Sequence, residues 1–362
     1  MQKYRVSLFV SMTILVLFGL FMIYSASYVW SEYKFNDSFH YFKQQGLFII
    51  IGFMMMYFII KKIDSRFFKE KVNLFLIICF ILLVLVIIPG VGVIRNGSRS
   101  WFGIGSFGIQ PSEASKFAII LFVSKYLANN RKDVKKIIKG VLPVLIIVLL
   151  IFGLIMLQPD FGTGVILVMS IISLLFISGV DMKFFKYMGI LGLVGVVGLI
   201  IVAPYRMDRI TSFINPWKDP LGTGFQIIQS LYAIGPGGIL GQGFLNSRQK
   251  HFYLPEPQTD FIFSIICEEF GVVGAIFVVV LFFILCYSAI KLALNEEDLF
   301  KKYVIFGMTF QIIFQALLNL TVVIGLIPVT GVTLPFLSYG GSSLLVSMVS
   351  IGIILNVSRN VK

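Results

Sequence analysis

Acidic side chains are scarce in this chain. Seventeen Asp and Glu stand against 30 Lys and Arg over 362 residues, with only two histidines and three cysteines besides. Cys79, Cys267 and Cys286 all fall inside apolar runs, where a thiol behaves as small apolar filler, so no disulfide framework is implied. Two histidines and three such cysteines also argue against a dedicated transition-metal site. No linker, charge block or low-complexity tract divides the chain, which predicts one polytopic membrane domain over 1–362. With acids this few, each one near an apolar run is expensive to keep and is a functional candidate by default.

What the chain has instead is hydrophobic length. It is 58% apolar and 13% charged, with a mean hydropathy of +0.95, far from the roughly 25% charge of a soluble domain. Runs near the length needed to cross about 30 Å of hydrocarbon recur at about 6–27, 46–60, 72–88, 112–128, 139–157, 161–180, 184–203, 261–290, 303–327 and 333–357. The predicted fold is an all-α integral membrane protein with about ten transmembrane helices and a large extracytoplasmic loop, 204–260, between spans 7 and 8. The first span resembles a signal peptide, but its apolar part is too long, and it reads as an uncleaved helix.

An even span count puts both termini on one side. Lys3 and Arg5 mark that side as cytoplasmic, and the basic clusters Lys61–Lys71, Arg131–Lys139 and Lys291–Lys302 fall on it too. The net charge of +13 is therefore mostly a topology signal, with attraction to anionic headgroups added. No nucleic-acid partner is implied.

Two segments assigned to the outside are long, 89–111 and 204–260, and long loops tend to carry function. Within the second, 223–234 has amphipathic helical spacing with Phe225, Ile228, Leu231 and Tyr232 on one stripe. Its end carries Glu256 and Asp260 beside Arg248, Lys250 and His251, a pattern suited to holding an anionic substrate while one carboxylate acts as a base. Pro255 and Pro257 predict an extended approach, with Asp260 in the first turn of the next helix. Glu268 and Glu269 lie about 12 Å deeper and call for a structural partner, a Lys, an Arg or a backbone amide.

The second cluster runs from Gln110 to Lys116. Pro111 suits the first helical position, and Glu113 and Lys116, three apart, share a face. They either neutralise each other, or Lys116 binds a phosphate while Glu113 orients it or meets a cation. Upstream, Arg95 and Arg99 are shaped to grip a diphosphate, and Trp101 suits an interfacial anchor. Asp160 reads first as part of a tight turn. The stretch from Pro335 to Ser343 gives the last span an irregular start, its small residues allowing close packing.

Taken together, Gly97–Lys116, Gln158–Gly164, Arg209–Gly274 and Pro335–Ser343 resemble the SEDS family (shape, elongation, division and sporulation) in order and spacing over essentially the whole chain. The strings Asp208-Arg209-Ile210-Thr211-Ser212-Phe213 and Ser247-Arg248-Gln249-Lys250 leading into Tyr253-Leu254-Pro255-Glu256 resemble its FtsW and SpoVE branch more than RodA. The resemblance implies a peptidoglycan glycosyltransferase polymerising lipid II at the outer face of the bacterial cytoplasmic membrane, in division or sporulation. Asp260 matches the family's essential aspartate, Glu113 and Lys116 its acidic and basic pair in the fourth span, and Trp101 its loop tryptophan. Implied partners are a class B penicillin-binding protein, lipid II and undecaprenyl diphosphate-linked glycan, and other divisome or sporulation membrane proteins.

One departure stands out: where many relatives carry two consecutive arginines, this chain has Ser98-Arg99-Ser100. The site expected is Asp260 as base, with Glu113, Lys116, Arg99, Trp101, Arg248, Lys250 and Glu256 binding substrate or supporting the site. No cofactor is evident, and a divalent cation, Mg or Mn, stays open. A lipid II flippase is the alternative from another class, and a division scaffold without chemistry is a third.

Overall fold

The computed structural model describes residues 1–95, 97–104, 107–202, 207 and 211–359. The predicted string at 208–210 lies outside the described residues. Every predicted apolar run is a helix: α1 (Gln2–Phe35), α2 (His40–Lys62), α4 (Val72–Ile87), α5 (Pro111–Asn129), α6 (Leu142–Met156), α7 (Phe161–Ile177), α8 (Met182–Val202), α10 (Ile262–Leu294), α11 (Leu299–Val323) and α12 (Gly341–Val357). Two short helices join them, α3 (Ser65–Glu70) and α9 (Phe225–Ile234). Among the described residues, five helices are long and apolar enough to cross a membrane by length and composition alone. The last helix starts later than its apolar run, because 324–340 is irregular.

The bundle is apolar on its outside and buries polar and charged groups within its apolar core. Leu74, Ile77, Ile81, Leu149, Leu191 and Phe283 are exposed on helix surfaces, whereas Glu113, Lys116, Glu268, Glu269, Gln311, Gln315 and Asn319 are buried. In water that inversion would be ruinous; against lipid, outward Leu and Ile cost nothing and inward polar groups find partners. α11 lies against α5, α7, α10 and α12, and α1 against α2 and α10, so α11 is central.

Hydrogen bonds between distant segments mark the two ends. At one, Arg5 donates to Leu355 O (3.1 Å), and Asn356 donates to Ile59 O (2.7 Å) and Ile63 O (2.8 Å). At the other, the segments assigned to the outside meet: Ser98 with Gln158, Gln110 with Asp160, and Gln258 with Tyr339. The chain therefore alternates ends as the span count requires.

Segment 89–111, expected as a loop, forms an antiparallel sheet of β1 (Val93–Arg95), β2 (Ser98–Ile104) and β3 (Phe107–Ile109) in that order. Gly97, at φ 78°, takes the left-handed backbone in the β1–β2 turn. The approach to α10 also differs from expectation. Residues 249–261 run through turns and bends, Glu256 has φ 42°, and Asp260 precedes α10 rather than lying in its first turn. Two prolines fix their own φ, but the turn is set by Thr259, whose amide and hydroxyl both donate to Glu256 O at 3.0 and 2.7 Å.

Candidate active site at the Asp260 end

Asp260 is half-buried, and its Oδ1 accepts from the Thr259 hydroxyl at 3.0 Å. Its backbone is pinned from the side: Asn319 Nδ2 of α11 donates to Asp260 O (2.6 Å) and to Val332 O (2.7 Å). One turn earlier on the same face of α11, Gln315 donates to Thr333 O (3.0 Å), and its Oε1 accepts from Lys116 Nζ (2.9 Å). Two amide side chains four residues apart thus hold consecutive carbonyls, 332 and 333. Through them the Asp260 turn and the Lys116 pair are fastened to one strip of backbone.

Lys116 also pairs with Glu113 at 2.9 Å, both buried. Pro111 stands at the start of α5 and Glu113 in its first turn, where an anion suits the helix dipole. The serines beside the pair are hydrogen-bonded. Ser343 bonds to Thr333 Oγ1 (3.0 Å) and Gln315 Nε2 (3.3 Å), and Ser342 accepts from Gln110 N (3.1 Å) and donates to Gly108 O (2.9 Å). These serines do polar work beyond the close packing expected of them.

Asp160 caps α7 through Thr163 N (3.2 Å) and accepts from Gln110 Nε2 (2.9 Å) and Ser112 Oγ (3.3 Å). Desolvation raises its carboxyl above the usual range, against the lowering pull of Thr163. It is a turn residue, as expected, and it also ties the α6–α7 turn to the start of α5.

Lys250 is fully buried, 3.0 Å from Glu269 Oε1 and over the Tyr28 ring at 4.9 Å. Burial pulls its ammonium below the ordinary lysine value, with Glu269 opposing. The Glu268 carboxylate takes Arg248 N (2.7 Å) and Ser247 Oγ (2.5 Å). Arg248 and Glu256 side chains are exposed, and Arg99 is half-exposed. Trp101 lies opposite Val93, its ring under the Arg95 guanidinium at 5.1 Å.

Of the predicted set, Asp260, Glu113 and Lys116 are brought onto one framework. Lys250 is held inside the protein beside α1, and Arg248, Glu256 and Arg99 stay accessible. Sequence reasoning passed over Gln315 and Asn319, although amides at 311, 315 and 319 form a one-face stripe in an apolar run, which is a legible signal. Among the described residues no group of three or more His, Cys, Asp or Glu could hold a metal, and Glu113 already faces Lys116.

α9 occupies the predicted 223–234 segment with its buried face turned: Ile227, Ile228, Ser230 and Ala233 point inward, and Leu231 and Tyr232 outward. Ser230 explains the rotation, since its hydroxyl bonds to Ser264 Oγ and Val323 O, both at 2.7 Å.

The chain matches the Cell cycle protein family model of FtsW, RodA and SpoVE over residues 5–362. It is 52% identical to "Stage V sporulation protein E" of Bacillus subtilis (strain 168) over 353 residues, 97% of this chain and 96% of that protein. It is 37% identical to "Probable peptidoglycan glycosyltransferase FtsW" of Geobacter sp. (strain M18), covering 100% of this chain and 98% of the relative. Among solved structures, a chain from work on structural coordination of polymerization and crosslinking by a peptidoglycan synthase complex superposes with a TM-score of 0.80 at 29% identity, covering 98% of this chain and 97% of the other. The rod shape determining protein RodA of Thermus thermophilus gives 0.72 at 26% identity, covering 98% and 96%.

Proposed function

The chain belongs to the Cell cycle protein family of FtsW, RodA and SpoVE, and from that membership and the geometry around Asp260 we propose that it is a peptidoglycan glycosyltransferase that polymerises lipid II. The observation that carries this reading is the shared framework. Asn319 holds the Asp260 turn and Gln315 holds Lys116, each through one of two adjacent carbonyls.

In the proposed reaction the Asp260 carboxylate takes the proton of the acceptor sugar's 4-hydroxyl. That oxygen bonds to the anomeric carbon of the lipid-linked donor as the bond from that carbon to the diphosphate oxygen breaks. Undecaprenyl diphosphate leaves with the electron pair and needs no protonation, so one base suffices. Its charge is met by fixed cations. Arg248 and Arg99, accessible and able to bind phosphate oxygens two at a time, are assigned that contact. Lys116 and Lys250, both held in buried pairs, support the site from behind, and Glu256 flanks the entrance. Glu113 keeps Lys116 oriented, and Trp101 anchors the sheet.

The site end is assigned to the outer face of the bacterial cytoplasmic membrane and both termini to the cytoplasm, on the basic clusters gathered at the opposite end. The synthase-complex likeness supports a crosslinking partner, proposed to be a class B penicillin-binding protein.

Reconstituting the purified chain with that partner and labelled lipid II tests the function. Glycan strands from the intact protein and none from Asp260→Asn are expected. Equal polymer from both removes the catalytic assignment, and transbilayer movement of lipid II without polymer favours a flippase instead. For orientation, an impermeant maleimide should label Leu221→Cys on intact cells and Ile138→Cys only after permeabilisation. The reverse pattern would invert the topology.

A further inference from the structure

Backbone groups freed by a helix break at membrane depth must be satisfied by protein, and α10 breaks at Gly271, with φ 59° and ψ −152°. In an unbroken helix the amides of Val272 and Val273 would donate to Glu268 O and Glu269 O, four residues back. Here they donate to Gly238 O (3.0 Å) and Ile239 O (3.1 Å), while Gln242 N and Gly243 N donate to Glu268 O and Glu269 O, both at 2.9 Å. The segment 238–243 is thus inserted between the halves of α10 and takes up both partners of both lost bonds. Only glycine permits it. A Cβ on Gly271 would lie 2.5 Å from Ile239 O and 2.6 Å from Gly241 N, and one on Gly241 would run into Glu269 O.

The side chains of the same two glutamates hold the next stretch of the same loop. Glu268 takes Arg248 N and Ser247 Oγ, while Glu269 Oε1 takes Lys250 Nζ, Ser247 N (3.3 Å) and, from α1, Ser25 Oγ (2.6 Å). Ile239 and Leu240 are 73% and 77% exposed at the level of a break about 13 Å along α10 from its start. The chain then runs from Lys250 to Asp260 and straight into Ile262, so the Asp260 turn is closed at both ends by this assembly.

We propose that segment 238–250 is a brace that sets the position of the half-helix 262–270 and with it the direction of the Asp260 carboxylate, with Lys250 and Glu269 as positioning residues. The proposal rests on Asp260 being the reacting base. It requires that loosening the brace slow the chemical step while leaving lipid II binding alone.

The test uses the full chain in proteoliposomes with lipid II, rates being taken per folded protein. Lys250→Met combined with Glu269→Gln, which removes both members of the ion pair together, should lower kcat at least tenfold with KM within twofold. Lys250→Arg should keep most of the rate, and Ser25→Ala, which loses the hydrogen bonds to Glu269 and Lys250, should lower kcat about threefold. An unchanged kcat in the folded double variant overturns the brace. If the double variant does not fold, the Ser25→Ala rate decides in the same way. Amide hydrogen exchange over 258–264 separates this proposal from the glycosyltransferase reading. Exchange at least tenfold faster in the double variant, or in Ser25→Ala should the double variant not fold, supports the brace even if the wild-type chain makes no polymer. Unchanged exchange overturns it whatever the activity.

Discussion

Lys116 and Glu113 pair at 2.9 Å within one turn of α5, whereas Lys250 and Glu269 pair at 3.0 Å between a loop and a broken helix, with Ser25 of α1 completing the contact. Both lysines are almost fully buried. The first pair follows from helical periodicity alone, since residues three apart meet wherever α5 forms. The second exists only once the 204–260 loop has packed into the break at Gly271. Equal geometry therefore hides different dependence: one pair is local and carries its neighbour Gln315, the other is a lock on tertiary structure.

That difference orders the expected effects. Asp260→Asn, which both pairs serve in this account, should cost the most, about 10²- to 10⁴-fold in polymerisation rate for loss of a general base, with the protein remaining folded. Next is Glu269→Gln alone. It strips the counter-ion from a buried lysine and should destabilise by about 3–5 kcal/mol, read as a lower midpoint of thermal unfolding in detergent. Lys116→Met should cost less than Glu269→Gln in the same assay, because Glu113 lies nearer the helix N-terminus and keeps the dipole's support. If the two midpoints fall together, the distinction between local pair and tertiary lock is wrong.

Asn319→Ala sharpens the comparison from the other side of the site. It leaves the carbonyls of Asp260 and Val332 without their donor, for about 1–3 kcal/mol, and should slow polymerisation more than it lowers the unfolding midpoint. Smallest is Trp101→Ala, where the contact with Arg95 is worth about 0.5–1 kcal/mol, and the change in midpoint should be correspondingly slight.

The helices were legible because their apolar runs are long and bounded by charge, and a three-residue spacing put Glu113 and Lys116 on one face without settling that they pair with each other, at 2.9 Å. The β1–β2–β3 sheet was not, since its strands of three, seven and three residues, with Gly103 in β2 and Gly108 in β3, show no sustained alternation. Asn96-Gly97 was the one hairpin signal there. Glu268 and Glu269 could be read as needing partners, but not which ones. The 18 residues between Lys250 and Glu269 hold two prolines and a turn whose path depends on Thr259 and Asn319. The kink at Gly271 was hidden for a related reason: a lone glycine in an apolar helix is ordinarily tolerated, and only the loop that fills the gap gives this one its meaning.

Asp260 acts in the chemical step of the proposed reaction. The most direct measurement is the single-turnover rate of glycan bond formation, with lipid II affinity measured in parallel, for the intact chain and for Asp260→Asn. Unchanged affinity with a rate lowered at least a hundredfold is expected. A variant that binds equally and polymerises at the intact rate would contradict it.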